Sequence, residues 1–395
     1  NIDKEKIRVF AAFVGGAFGS GLRPQYQLPL AVMAALELKR SVRVTLTRQQ
    51  MFTFGYRPRT LQHLRLGAAA NGRLMAVAHE AIGQTSRFED FTEHVVEWSG
   101  MLYKCDNVEL TYKLAPLDVH TPLDMRAPGA ALGVIGLECA MDELACALAI
   151  DPVQLRLINF AERNGNEDKP YSSKELRACY AEGAERFGWS RRNPEPRSMR
   201  EGRQLVGWGM AGGVWESMQM KASAKAHINA EGKLTVSSAT TDIGTGTSAV
   251  MTQIAAAGAG VSVADTTFLL GDSSLPTAPL QGGSFTVSSV GTAVQQASKA
   301  LRQKLFEVAC QVDPQFASAR ADQMTVAEGY LNLGDHRLAL SEVLSGLPDG
   351  LEVQVDAEPD KKREGYATAT HSAVFVEVQV DEDLGSIRVS RVVSA

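Results

Sequence analysis

Paired cysteines are missing from this sequence. Its 395 residues hold five, Cys105, Cys139, Cys146, Cys179 and Cys310. The number is odd, they are scattered, and no two form a Cys-x-x-Cys. A disulfide framework is not expected, nor is a cysteine-ligated zinc or iron–sulfur site. The seven histidines include no His-x-His or His-x-x-x-His pair, which removes the commonest histidine zinc sites. Long apolar runs are also lacking. The run Leu28–Leu36 gives way to Glu37 and is far too short to span a bilayer. No excess of one charge is present either: Lys+Arg is 40, Asp+Glu is 45 and the formal net charge is −5. Nothing in that balance calls for nucleic acid or a membrane surface as partner. The nucleotide fingerprints are absent too. A Gly-x-Gly-x-x-Gly would need glycine where Val14 stands, and no Gly-Lys-Ser/Thr follows any glycine turn, so neither a standard dinucleotide turn nor a P-loop is built.

What is present is an ordinary globular composition, 45% hydrophobic and 22% charged. That excludes disorder, collagen or coiled coil as whole-chain descriptions. The length suggests about two or three domains. The basic, Pro-containing stretch Ser190–Arg203 reads as a solvated linker between them. Both ends read as interior to a longer polypeptide: there is no initiator methionine or leader, and the last residues alternate like a strand cut in flight.

Strands are expected at Ile7–Val14 and Ser41–Thr47, with a hairpin from Gln62 to Thr85 turned at Ala70-Asn-Gly-Arg73. Helices are expected at Leu28–Lys39, Leu137–Ile150, Asp151–Asn159 and Ser173–Phe187, the third with Asp151 as N-cap and Pro152 at its first position. Glu138, Asp142 and Glu143 read as the wet side of the second of these helices. Further on come the hairpin Ser223–Ile228/Lys233–Ala239, the helices Ala249–Gly258 and Thr292–Val312, and a last hairpin, Ala373–Val380/Ser386–Val393. Strands and helices do not alternate strictly, which favours an α+β fold of mixed α/β layers over a doubly wound sheet.

The informative chemistry is a recurrence. Glycine and hydroxyl residues cluster where an extended segment hands over to a helix: at Gly15–Gly21, at Asp242–Ser248 and at Gln281–Ser289. Glycine lets a backbone approach a ligand closely, and free N–H groups at a helix start suit phosphate oxygens. The other reading of each turn is a turn and nothing more. Asp242 reads as the residue that fixes its own turn. Arg126 stands in the Pro/Gly loop Asp124-Met-Arg-Ala-Pro-Gly129, where it is either a surface arginine or a charge aimed at a ligand.

Taken together these segments resemble the large, molybdenum-binding subunit of the xanthine dehydrogenase/aldehyde oxidase family. The residues that carry the resemblance are Gly15-Gly-Ala-Phe-Gly19, Met125-Arg-Ala-Pro-Gly129 with Leu137–Ala145 and Asp151–Asn159, then Leu205–Gly209, Asp242-Ile-Gly-Thr-Gly246 and Gly271–Pro276. The wording is closest to bacterial aldehyde oxidase and isoquinoline 1-oxidoreductase type subunits. The resemblance implies two molybdopterin-binding domains, over 1–195 and 196–395. It implies a molybdenum cofactor held through its pterin dithiolene, in bacteria often the cytosine dinucleotide form. It implies 2Fe-2S clusters and FAD on partner subunits, and an aldehyde or N-heterocyclic substrate oxidised with oxygen from water. By position, Gly16, Phe18, Gly19, Gly244, Thr245, Gly282, Gly283, Ser284, Thr286 and Ser288 match cofactor-binding residues. Arg126 matches the catalytic arginine of the substrate pocket, and Trp215 a substrate-wall aromatic or, on the alternative reading, a buried structural tryptophan. The family's glutamate base lies in a Gly-x-Gly-Glu segment that this sequence lacks, so the isolated chain is expected to be inactive. The competing readings are a non-catalytic module that contacts partner subunits without cofactor, and an unrelated nucleotide-dependent enzyme. The expected compartment is the cytoplasm, or the periplasm through a partner subunit's signal.

Overall fold

The apolar run Ala373–Val376 and the alternation that follows it to Asp381 make a long strand, Ala369–Asp381, on which Ala373 and Phe375, two residues apart and so on one face, have no exposed surface. In the computed structural model, which describes residues 2–11 and 14–395, this strand is central to a four-stranded antiparallel sheet. It pairs along its whole length with Gln204–Glu216 and, on its other side, with Ile387–Ser394. Helix Leu176–Phe187 covers it through Tyr180 and Phe187.

The chain divides into two compact units, and neither is a continuous stretch. One joins the residues up to Phe18 with Met218–Asp360; the other joins Gly19–Ser217 with Lys361–Ala395. The second unit holds the sheet just described and a three-stranded one. In that smaller sheet Thr60–Ala68 and Leu74–Ser86 form the hairpin expected at Asn71-Gly72, and Val108–Leu117 adds in parallel. Helix Ala130–Leu148 packs on it, burying Ala130, Gly133, Leu137, Met141 and Ala145 at three- and four-residue spacing. The next helix, Pro152–Ile158, starts as read: Asp151 accepts hydrogen bonds from the Val153 and Gln154 N–H groups.

The first unit is built on a mixed four-stranded sheet in the order Thr266–Leu269, Leu234–Ser237, Ala222–Ile228, Leu351–Ala357. Helices Thr247–Ala259 and Thr286–Val312 pack together, and the longer one lies against the sheet. Their core is rich in alanine (Ala222, Ala224, Ala226, Ala255, Ala293, Ala297), which allows close approach of helix to strand.

Several expectations are corrected. Glu138 is not on a wet face: it is 5% exposed and ion-paired to Arg156, which is fully buried. Asp142 also faces Arg156, at 2.8 Å, while Glu143 is exposed as read. Ser190–Arg203 lies wholly within the second unit. Its arginines are anchored there, Arg203 on Asp381 and Arg197 and Arg200 on Glu382. Segment 41–47 is in no ladder among the described residues; alternation sets a face, but a strand also needs a neighbour for its backbone groups. The strand read over Ile7–Val14 is reduced to one bridge, Phe10 to Asp272, and its residues Ala12 and Phe13 lie outside the described set. The long helix begins at Thr286 rather than 292, so Thr286 and Ser288 belong to its first turn.

Candidate functional site

In the second unit the site is a loop and what grips it. Asp124–Gly129 leads into the start of helix Ala130–Leu148, and the loop turns sharply because Ala127 (φ 55°) and Gly129 (φ 73°) are both left-handed. Only glycine fits at 129: a Cβ there would lie 1.9 Å from the His94 carbonyl oxygen. Gly19 meets the other end of the same loop, at φ 105°, where a Cβ would lie 2.2 Å from the Asp124 carbonyl oxygen. Gly19 of the first glycine turn and the Met125–Gly129 motif, 106 positions apart by number, are thus in backbone contact. Arg23 adds an ion pair to Asp124 at 3.5 Å and another to Glu89 at 3.0 Å.

Arg126 itself is exposed, and its guanidinium has no partner among the described residues. Its backbone is another matter. The Arg57 guanidinium donates to the Arg126 carbonyl at 2.5 Å and to the Ala127 carbonyl at 3.3 Å. Behind it stands Glu93, 3.5 Å away, whose side chain is fully buried. Burial raises the Glu93 carboxyl above its usual range, opposed by the Gly129 N–H and then by the Arg57 charge. No sequence motif points to Arg57 or Glu93; they are distant in the chain and meet only in the fold. Trp215 stacks on Trp98 at 5.5 Å between ring centroids, against the apolar cluster that includes Leu137 and Met141. The Trp98 indole N–H donates to the same His94 carbonyl that seats Gly129.

The first unit holds the other glycine turns. Asp242 fixes the first of them. Its Oδ1 accepts from the Gly244 and Gly246 N–H groups at 2.9 and 3.2 Å, and its Oδ2 from Ser248 N–H at 3.1 Å. Burial works against its ionisation, but the backbone N–H groups of Ser248, Gly244, Gly246 and Thr245 outweigh it and hold the carboxyl below its usual range. Gly244 and Thr245 are exposed at the tip, and nothing lies within 4 Å of where a Cβ would stand on Gly244 or Gly246.

Gln281 stitches this turn to the next. Its Oε1 accepts from the Thr241 N–H and hydroxyl at 3.1 and 2.8 Å, and its Nε2 donates to the Thr247 hydroxyl at 3.1 Å. Directly after it Gly282 leads to Gly283 (φ 59°) and Ser284 (φ 63°), two successive left-handed residues before the helix that opens at Thr286. The first amides of both helices have no acceptor inside their own helix; at the first of them Asp242 already accepts from Ser248 N–H. Ser288 contributes less than its position suggested, because its hydroxyl lies 2.6 Å from the Met218 carbonyl and 2.9 Å from that of Phe285. Gly16 and Phe18 also fall in this unit; Phe18 is left-handed (φ 53°) and 63% exposed, with its ring folded over Gly16.

Among the described residues no three His, Cys, Asp or Glu side chains converge as metal ligands, and no helix is long and apolar enough to cross a membrane. The turns of the first unit present hydroxyls and helix-start backbone, which suit phosphate oxygens; in the second unit the Arg126 guanidinium, without a partner among the described residues, suits an oxyanion.

Comparison with known proteins bears on which oxyanions. The family model described as molybdopterin cofactor-binding domain matches residues 1–160, and a second model of the same description matches 182–395. The chain is 34% identical over 393 residues to the aldehyde oxidoreductase molybdenum-binding subunit of Escherichia coli (strain K12), covering 99% of this chain and 52% of that protein. It is 25% identical over 417 residues to the xanthine dehydrogenase molybdenum-binding subunit of Escherichia coli O157:H7, covering 98% and 54%. The chain therefore spans about half the length of the curated relatives it matches. Among solved structures, quinoline 2-oxidoreductase from Pseudomonas putida 86 superposes with a TM-score of 0.85 at 18% identity, over 99% of this chain and 54% of that one. The Cu,Mo-CO dehydrogenase superposes with 0.81 at 18% identity, over 99% and 54%. At such identity the superpositions speak for the fold, which is the mixed α/β architecture read from the sequence.

Proposed function

This chain belongs to the molybdopterin cofactor-binding family, and on that premise we propose that it is the cofactor-holding part of a molybdenum hydroxylase. The reaction is oxidation of an aldehyde or an N-heteroaromatic compound at carbon, with water as the oxygen source. Relatives named as aldehyde oxidoreductase and xanthine dehydrogenase subunits support the reaction class. The two stretches matched by the family models support two cofactor-binding domains, which we place over 1–195 and 196–395, a division by sequence that differs from the two compact units.

The residues present fit the cofactor. The Asp242 turn commits its Gly244, Gly246 and Ser248 N–H groups to its own carboxylate; what it offers is open space over Gly244 and Gly246, and Gln281 joins it to the segment that leads to the helix start at Thr286. A pyrophosphate, as in a cytosine dinucleotide form, would meet the hydroxyls of Thr245, Ser284 and Thr286, with Gly244, Gly282 and Gly283 letting the backbone approach it closely and Ser288 bracing the turn. Gly16, Phe18 and Gly19 are the residues proposed to lie along the pterin and its metal. When bound, the cofactor supplies the oxygen-transfer and two-electron chemistry.

The chain's own contribution to the reaction is electrostatic. Arg126 presents a positive charge with no partner among the described residues, on a backbone that Arg57 holds, and such a group stabilises negative charge developing on substrate oxygen. Trp215, stacked on Trp98, is proposed as an aromatic wall beside the substrate. We assign no general base within these residues. Electrons leave to an iron–sulfur subunit carrying 2Fe-2S clusters and to an FAD subunit. The proposed compartment is the cytoplasm, or the periplasm through a partner subunit's signal.

The observation that carries this reading is the unpartnered Arg126 guanidinium on a loop whose backbone is fixed at both ends. Arg126→Ala in the full-length enzyme is expected to lower kcat/KM for aldehydes by about a hundredfold or more at unchanged molybdenum content. Wild-type turnover would remove Arg126 from the mechanism.

A further inference from the structure

We infer that Arg57, backed by the buried carboxylate of Glu93, is a positioning residue that aims Arg126; this rests on the role proposed above for Arg126. The guanidinium of Arg57 acts on the backbone beside the Arg126 side chain and on Glu93. It binds the two successive carbonyls of Arg126 and Ala127, at 2.5 and 3.3 Å. Turning both peptide planes towards one cation forces Ala127 into the left-handed region, at φ 55°. That conformation costs an alanine about 1 kcal/mol or more, and it persists only where the surroundings over-determine it. The surroundings are Arg57 on the carbonyl side and Gly129 wedged against the His94 carbonyl on the other. With the carbonyls drawn inward, the Arg126 side chain is left outward and unpartnered.

The choice of arginine follows from this geometry. A planar fork of five N–H donors meets two carbonyls and a carboxylate at once, whereas an ammonium is a point charge on a flexible stem. Glu93 explains why the fork holds still. Its side chain is fully buried beside a guanidinium that is 27% exposed, so a paired carboxylate orients Arg57 from the interior. Its Oε2 has no hydrogen-bond partner among the described residues; the Gly129 N–H and then the Arg57 charge offset its burial, so Glu93 ties Arg57 to the Gly129 end of the same loop.

The test is a double-mutant cycle in the full-length, cofactor-loaded enzyme, read by kcat and KM on an aldehyde and by the Kd for benzoate, a carboxylate product, measured calorimetrically. Arg57→Met and Arg57→Lys are each expected to lower kcat/KM about tenfold to a hundredfold and to weaken benzoate, at normal molybdenum content. Combined with Arg126→Ala, either change should add less than about twofold to the loss from Arg126→Ala alone, because Arg57 acts through Arg126. Losses that multiply in the double variant would overturn the positioning role. If Arg57→Met fails to accumulate, Arg57→Lys carries the same cycle, since it keeps the charge opposite Glu93. Unchanged turnover and benzoate affinity in Arg126→Ala itself would instead sink the role of Arg126, and the clamp with it.

Discussion

Replacing Glu138 with leucine should be among the most damaging single changes in the second unit. The carboxylate is 5% exposed and Arg156 is fully buried. Glu138 Oε2 accepts from Arg156 Nε at 2.9 Å and from the Gly212 N–H at 2.7 Å, and the Tyr103 hydroxyl donates to Oε1. Burial first, and then the Glu138 charge, holds the Tyr103 phenol well above its usual range, so it remains a donor. One side chain thus ties helix Ala130–Leu148 to helix Pro152–Ile158, to the segment at Tyr103 and to strand Gln204–Glu216. Its loss leaves a buried guanidinium with one half-exposed carboxylate, Asp142, and two main-chain carbonyls, of Pro152 and of residue 138 itself. Breaking a buried pair from one side costs about 3–5 kcal/mol. At roughly 2–4 °C per kcal/mol for a unit of this size, the melting temperature should fall by about 6–20 °C. Thermal unfolding and urea titration measure it. The companion variant Glu138→Leu/Arg156→Met should recover most of the loss, because no buried charge is left over. A cost under about 1 kcal/mol for Glu138→Leu would refute the reasoning, and so would a double variant worse than the single one.

Stability should also fall with pH between about 6.5 and 4. Burial holds both His79 and His371 down to about 4, against an ordinary value near 6.5. In that window the unfolded chain binds more protons than the native one, so each histidine removes about 1.4 kcal/mol per pH unit as pH is lowered. The urea midpoint should therefore be lower at pH 5 than at pH 7. His371→Phe, beside the edge of Tyr171, should reduce the slope; an unchanged slope would discount that residue. Gly129→Ala and Gly19→Ala should each displace the Arg126 loop, since the added Cβ meets main-chain oxygen at 1.9 or 2.2 Å. We expect folded protein with turnover reduced at least tenfold, checked by kinetics beside a melting curve. Asp242→Ala should release three backbone N–H groups of its turn and reduce nucleotide and molybdenum retention after gel filtration, with the sheet intact by circular dichroism.

Local chemistry was readable where one short signal decides the structure. Asn71-Gly72 made the hairpin, Asp151-Pro152 started its helix, and glycine with hydroxyl residues marked the two helix starts of the first unit. The misreadings have a common physical cause, which is pairing at long range. Glu138 reads as solvent-facing until Arg156 is seen to come from another helix. The arginines of 190–203 read as a linker until Asp381 and Glu382 arrive from the far end of the chain. Gln281 looks like one more polar turn residue, yet it holds two turns together. Arg57 and Glu93 carry no motif, and their relation to Arg126 exists only once the loop is folded.

Metal and nucleotide analysis of the purified protein bears most directly on the cofactor assignment: molybdenum by plasma mass spectrometry, and CMP or GMP released by acid. Molybdenum and CMP in equal amounts is the expected result. Protein that is folded and monodisperse yet free of both would contradict the assignment of these turns as the cofactor's cradle, and would favour a module that contacts partner subunits without it.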